Sequence, residues 1–539
     1  MQVRRNHESE GTEPVLHAAH SLKINRTALL VVVGAMAAVG VASVILALRW
    51  PFSQNRITRS LQESFPATVT FQKFHSTYFP PGCVAEGVVF RRLGGSLGTP
   101  PIVTTERITF EARYIDLLFR PGYVARIVLK RFRVQVPPQG TPVEESNWKE
   151  TTSTTHVGEI VADGAAIEVA RADPHAPLLF DIHTLKLTSV SRDKPLFYAV
   201  SLHNPLPPGE IRAHGQFGPW NSVDPGQTPV AGHYTFQNAN LGIFDGIAGV
   251  LSSEDRFQGV LQHIDAQGSI NIPDFMVTRS EHAVHVTSEF RAFVDCTNGD
   301  VEFERVSAGF LKTHVLAQGK VSGRAGQHGK TTSVDLTVRD GRIQDVLRLF
   351  VRARKPPLNG TTSFRAHVVI PPERRPFVEK VRLTGDFGVE GGQFTKSSTQ
   401  TKVDNLSEQA RGGKPDVPED EDPERVISDL GGHVELRGGT ATFRDLSFVV
   451  PGASAQMYGT YNLEGEAVDL HGTLKTDAEF SNMVRGFKSA LLKPFDVFFK
   501  KKHAGAVVPV HLLGTYSAPQ AGLDLPVKKS SAKAPTAAN

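Results

Sequence analysis

The chain has 539 residues, 40% of them hydrophobic and 8% aromatic, with 48 Gly, 35 Pro and a net charge of +4. The charge is spread thinly, with no basic block outside Lys500–Lys502 and the tail, which argues against a nucleic-acid partner. Two cysteines, Cys83 and Cys296, are too few for a disulfide framework and fit no metal spacing, although a single bridge in an oxidising compartment stays open.

Residues 1–26 form a short leading tail. Residues 27–48, from Thr27 to Leu48, carry no charge. A helix of about 20 such residues crosses a hydrocarbon core of roughly 30 Å, so a single transmembrane anchor is expected here. Lys23 and Arg26 close the run on one side, Arg49 and Trp50 on the other, and these residue types suit the headgroup zone. A cleaved signal peptide is the alternative, but its apolar core is shorter and Ala47-Leu48-Arg49 is a poor cleavage site. A short tail before the first span places the bulk of the chain outside the cytoplasm.

After the anchor, Ile57, Leu61 and Phe65 recur at helical spacing. The period then changes to two. Residues 67–74, 87–93, 108–114 and 127–136 alternate or read as strand, each run bounded by Gly, Pro or Asn, as antiparallel strands require. Similar runs at 268–272, 283–290, 332–338, 362–370 and 467–474 fill the chain. Residues 385–394 and 432–441 share a pattern, with glycines at the first, seventh and eighth places and apolar residues at the third, fifth and tenth. Residues 158–167 are a weaker copy. The pattern reads as strand, two-residue turn, strand, with Gly164, Gly391, Gly392, Gly438 and Gly439 as the turn glycines.

Helices are expected at Leu241 to Leu251 and around Ile343, Val346, Leu347, Phe350 and Val351, the latter on a clear i, i+3, i+4, i+7 stripe. Asn482 to Lys502 combines Phe487, Leu491, Phe495, Phe498 and Phe499 with Lys500, Lys501 and Lys502, and is broken by Pro494. It reads either as a helix capping the end of the sheet or as one lying on a membrane surface. Residues 396–425 are polar and read as a disordered linker between a β region at 49–395 and a second at 426–525; residues 526–539 form a disordered tail.

The chemical motifs dissolve. Gly94-Gly-Ser-Leu-Gly98 lacks the helix that a nucleophile elbow needs, residues 323–331 miss the phosphate-loop spacing, and His282 and His285 do not share a strand face. No catalytic residue, metal site or cofactor is assigned, and no enzyme activity is expected.

The span, the run Phe79 to Gly82, the strands Val88 to Phe90 and Ile127 to Val134, and at the other end Leu430 to Leu446, Gly459 to Leu463 and Val508 to Pro519 resemble the AsmA family of envelope proteins. Residues 27–95 and 380–525 carry the likeness. The resemblance implies a single-pass anchor in a bacterial inner membrane and a mainly β periplasmic part, an elongated, curled antiparallel sheet forming a groove with a few short amphipathic helices. It also implies phospholipid as ligand and a role in lipid transport to, or assembly of, the outer membrane, with an envelope protein partner. Ile160, Phe387, Val389, Val434 and Leu436 are the candidate groove residues. The alternative is a scaffold for outer-membrane proteins that conducts no lipid and offers its sheet edges instead.

Overall fold

The computed structural model describes residues 50–64, 67–92, 100–120, 122–136, 155–170, 177–323, 329–411, 426–477, 507–515 and 518–524, with gaps at 222 and 374, together with Gly40 and Ser43. Apart from Gly40 and Ser43, the expected anchor at 27–48 lies outside these residues. So does the expected helix at 482–502, with Phe487, Leu491, Phe495, Phe498, Phe499 and its three terminal lysines. No described helix is long and apolar enough to cross a membrane.

Short runs that alternate apolar and polar residues, punctuated by Gly, Pro and Asn, can bury only one face of an extended backbone, and they pair with the next such run in the chain. Among the described residues the outcome is a single sheet of 26 strands in which nearly every strand lies between its predecessor and successor. Three rungs of this ladder are each made of two strands, which leaves 23 rungs. Ala67–Thr70 and Lys73–Thr77 share one, Tyr123–Lys130 and Arg133–Val136 another, and Ile247–Ala248 and Val250–Val260 the third.

The sheet is mixed rather than purely antiparallel. Tyr123–Lys130 and Arg133–Val136 pair in parallel with His156–Val169, while the other pairings are antiparallel. A parallel neighbour needs a crossover of a dozen or more residues, and residues 137–155 supply that length between the two strands. The ladder also runs unbroken across the expected boundary at 396–425, because Arg382–Phe394 pairs directly with Ser428–Arg437.

Three further expectations are corrected. Only one of the glycine modules is a hairpin. Gly438 and Gly439, with φ of +54° and +72°, sit between the paired residues Arg437 and Thr440, the two-residue turn that needs positive φ at both positions. Gly164 (φ +68°) lies inside His156–Val169, and Gly391 (φ +65°) and Gly392 lie inside Arg382–Phe394. In Arg382–Phe394 the ladder register jumps from Val389 to Gly392, so Gly391 and Gly392 serve a β-bulge, which uses positive φ as readily as a turn does, whereas Gly164 lies within an unshifted ladder, between the pairs Asp163–Thr184 and Ala165–Ile182. Residues 241–251 are not a helix: a single 3-10 turn, Leu241–Ile243, leads into two strands, and Gly242, Gly246 and Gly249 remove helical support. The expected linker begins with a helix, Ser397–Ala410.

Three of the described helices cover parts of the sheet. Gln54–Ser64 lays Ile57 and Leu61 on Val69, Val88 and Phe90, closing a core that includes Phe52 and Cys83. Ile343–Phe350 places Leu349 and Val346 on Phe275, Val284 and Phe310. Ser397–Ala410 places Val403 and the fully buried Ala410 on Phe448, Val450, Ala453 and Leu474, and Ser407 donates a 2.6 Å hydrogen bond to the Pro451 carbonyl.

Candidate binding face

Residues directly opposed across a ladder share a face, so the register decides what each side of the sheet presents. One row runs through Cys83, Phe110, Ile127, Ile160, Leu187, Tyr198, Gly215, Gly232, Phe257, Ala266, Ala292 and Phe303. It continues through Gly319, Val334, Val368, Leu383, Leu436, Ala441, Tyr461, Val468, Gly514 and Pro519. The row crosses the sheet from its second rung to its last without a charge. The opposite face is polar: His214, His233, Arg256, Gln267, Arg291 and Arg305 form one of its rows, and Arg291 pairs there with Asp265 at 2.9 Å.

All five residues expected to line a groove fall on the apolar face. Ile160 and Leu436 belong to the row just traced. Val434 lies in the next, opposite Gly385 and Phe443; Phe387 is opposite Phe364, and Val389 opposite Leu430. Val389 is 2% exposed, whereas Ile160, Phe387, Val434 and Leu436 are only half-buried. Half-burial is the state of an apolar face that a second sheet does not cover, since a dry sandwich core would bury such residues. The three helices described above all lie on this face and cover part of it.

Opposite long edges of the sheet approach one another near its middle. Residues 245–249 and 277–283 lie at one edge, the turns at 371–381, 438–439 and 463–466 at the other. Arg279 nonetheless donates to the Glu464 carbonyl at 2.9 Å, and a Cβ on Gly246 would stand 3.0 Å from the Phe377 Cβ. A cavity of about 900 Å³ opens at this junction, lined by Arg279, Arg375, Phe377 and Glu464 among others.

One feature of the face escapes a reading of the sequence. In the row beside the one traced, Ala213, Tyr234, Asp255, Gly268 and Phe290 succeed one another, so a carboxylate stands amid apolar neighbours. Asp255 is 4% exposed; its Oδ2 accepts from the Ser253 hydroxyl at 2.8 Å, and its buried Oδ1 has no partner. It fills the space that a side chain at Gly268 would take, where a Cβ would lie 1.3 Å from Oδ1. Burial pushes the Asp255 carboxyl up from the ordinary aspartate range, and burial followed by the neighbouring Asp255 pushes the Tyr234 hydroxyl up. The available signal was period two: Asp255 stands at the place where Leu251 and Phe257 point to an apolar position.

Cys83 and Cys296 are free thiols, Cys83 buried and pushed by that burial to about 12. His282 contacts the Ala353 carbonyl and His285 contacts Asn271. Among the described residues no group of three or more His, Cys, Asp or Glu could hold a metal ion. No family model, curated protein or solved structure matches the chain.

Proposed function

We propose that the protein is an AsmA-type, inner-membrane-anchored protein of the bacterial periplasm that binds phospholipid acyl chains along its apolar face and supports lipid movement to, or assembly of, the outer membrane. The observation that carries this reading is the uncharged row from Cys83 to Pro519 on a face that remains half-exposed. A surface of that kind costs free energy in water unless something apolar covers it. Acyl chains match it, at about 0.8 kcal/mol per CH₂ removed from water. We take the apolar face as the inside of the curl implied by the Arg279–Glu464 contact between opposite edges, which makes it a groove, and 23 rungs at about 4.8 Å each give it a length on the order of 100 Å. Transfer along such a groove needs no bond chemistry, so the reading assigns no catalytic residue.

A second reading, a scaffold that pairs with other β proteins, draws on the last strand, Pro519–Leu523, which pairs with Val507–Thr515 alone among the described strands. Mass spectrometry on an organic extract separates the two. Phospholipid is expected to co-purify with the chain from residue 50 onward, and to be lost from V434D/L436D while circular dichroism retains the β signal. A folded wild-type protein that carries no lipid removes the groove reading and leaves the scaffold.

A further inference from the structure

The largest exposed apolar side chains at the start of the sheet gather in one place. Phe79 is 88% exposed, Phe119 74%, Ile115 60%, Tyr78 59% and Leu118 49%. They come from two connections at the same long edge, because Gly82 and Glu111 end their strands opposite each other. The Phe79 and Tyr114 rings stand 5.8 Å apart, and the Tyr114 hydroxyl donates to the Tyr78 carbonyl, tying the two connections together.

The short helix Tyr114–Phe119 is turned the wrong way round for water. Its acidic residue, Asp116, is 7% exposed, while Ile115, Leu118 and Phe119 point outward. Exposed arginines, Arg113 and Arg120, flank it on either side. The Trp50 and Tyr78 rings stand 4.9 Å apart, tilted by 37°, and Trp50 is two residues past Leu48, where the uncharged segment ends. A patch of aromatic and aliphatic side chains, rimmed by arginine and set where an apolar segment emerges, has the composition of a membrane-interface anchor, in which rings sit at headgroup depth and cations meet anionic lipid.

We propose that Tyr78, Phe79, Ile115, Leu118 and Phe119 insert into the headgroup region of the membrane that holds the chain, so that the first rungs of the sheet are seated on that bilayer rather than held away from it on a free tether. This rests on the membrane-anchor part of the proposed function and is independent of whether the groove carries lipid. It assigns the inverted helix a role: the apolar residues that face outward are covered by acyl boundary, and Arg113 and Arg120 meet phosphate.

The test uses the full-length chain with Cys296→Ser, carrying one environment-sensitive dye on F79C, F119C or, as a control on the polar face, Q456C. The proteins are reconstituted into vesicles of phosphatidylcholine and phosphatidylglycerol and floated on a density gradient. Dyes at 79 and 119 are expected to shift to the blue and to be quenched by bromine-labelled acyl chains, while the dye at 456 does neither. If the chain floats and all three dyes report water, the interface proposal fails and the anchor stands. If the chain does not float, the anchor fails and the proposal with it.

Discussion

Asp255 is where this molecule departs furthest from the rule that governs the rest of its apolar face. A buried acceptor without a partner costs about 1–3 kcal/mol, and Oδ1 of Asp255 has none at good hydrogen-bond geometry, with the Tyr234 hydroxyl and the Ser269 amide only nearby. Asp345 shows the contrast: it is 7% exposed, yet its Oδ2 accepts from the Lys312 amide at 2.9 Å and the Thr313 hydroxyl at 3.0 Å. Because the folded protein holds the Asp255 proton more tightly than the unfolded chain does, its contribution is full below the ordinary aspartate range. That contribution is lost as pH rises through the raised folded value. Asp255→Asn, which cannot ionise, is therefore expected to be more stable than the wild type at about pH 8 and to flatten the wild type's fall in stability between about pH 4 and that pH. Urea unfolding at the two pH values measures both; an unchanged slope with pH would show that Asp255 is not the titrating group. A period-two pattern says which residues share a face, but not which of them has found a hydrogen-bond partner, so this carboxylate could not be singled out from sequence.

Among the elements, what was legible followed the strength of the periodic signal. The stripe of Ile343, Val346, Leu347 and Phe350 gives a helix, as does Ile57 with Leu61. Ser397–Ala410 was hidden by its polar composition, although Val403 and Ala410 are seven apart and land on one side. The glycine modules show the opposite failure. Of the five expected turn glycines, Gly164, Gly391, Gly438 and Gly439 have positive φ and Gly392 does not, but a turn and a bulge make the same local demand, and only the strand partners distinguish them. The last strand carries a pH-sensitive tie. His471 reaches Asp524 through Nδ1 at 2.7 Å and Asp469 through Nε2 at 3.0 Å, a pair of hydrogen bonds that only the doubly protonated ring can donate. Asp524 first, then Asp469, raises the His471 value. The tie is complete below the ordinary histidine range and lost as pH rises through the raised value. Amide exchange in Pro519–Leu523, corrected for intrinsic rate, should quicken over that range in the wild type and be pH-independent in His471→Gln. Equal protection at all pH values would show that the ion pair does not hold the strand.

At the scale of the whole molecule, the alternation within each strand foretold a long β structure, and the five candidate residues Ile160, Phe387, Val389, Val434 and Leu436 do share a face. Two larger features were beyond the pattern. The parallel step at His156–Val169 depends on which neighbour a strand chooses, and the approach of Arg279 to Glu464 on twist summed over many rungs. Neither is written in any single strand.

The central claim, that hydrocarbon covers the apolar face, is tested most directly by a photoreactive residue placed in the full-length chain in living bacterial cells. Positions Phe387, Val434 and Leu436 belong to the apolar face, and His433 and Glu435 alternate with them on the other. The account predicts lipid adducts, identified by mass spectrometry, at 387, 434 and 436 and none at 433 or 435. Adducts of equal yield on both faces, or none on the apolar one, would contradict it.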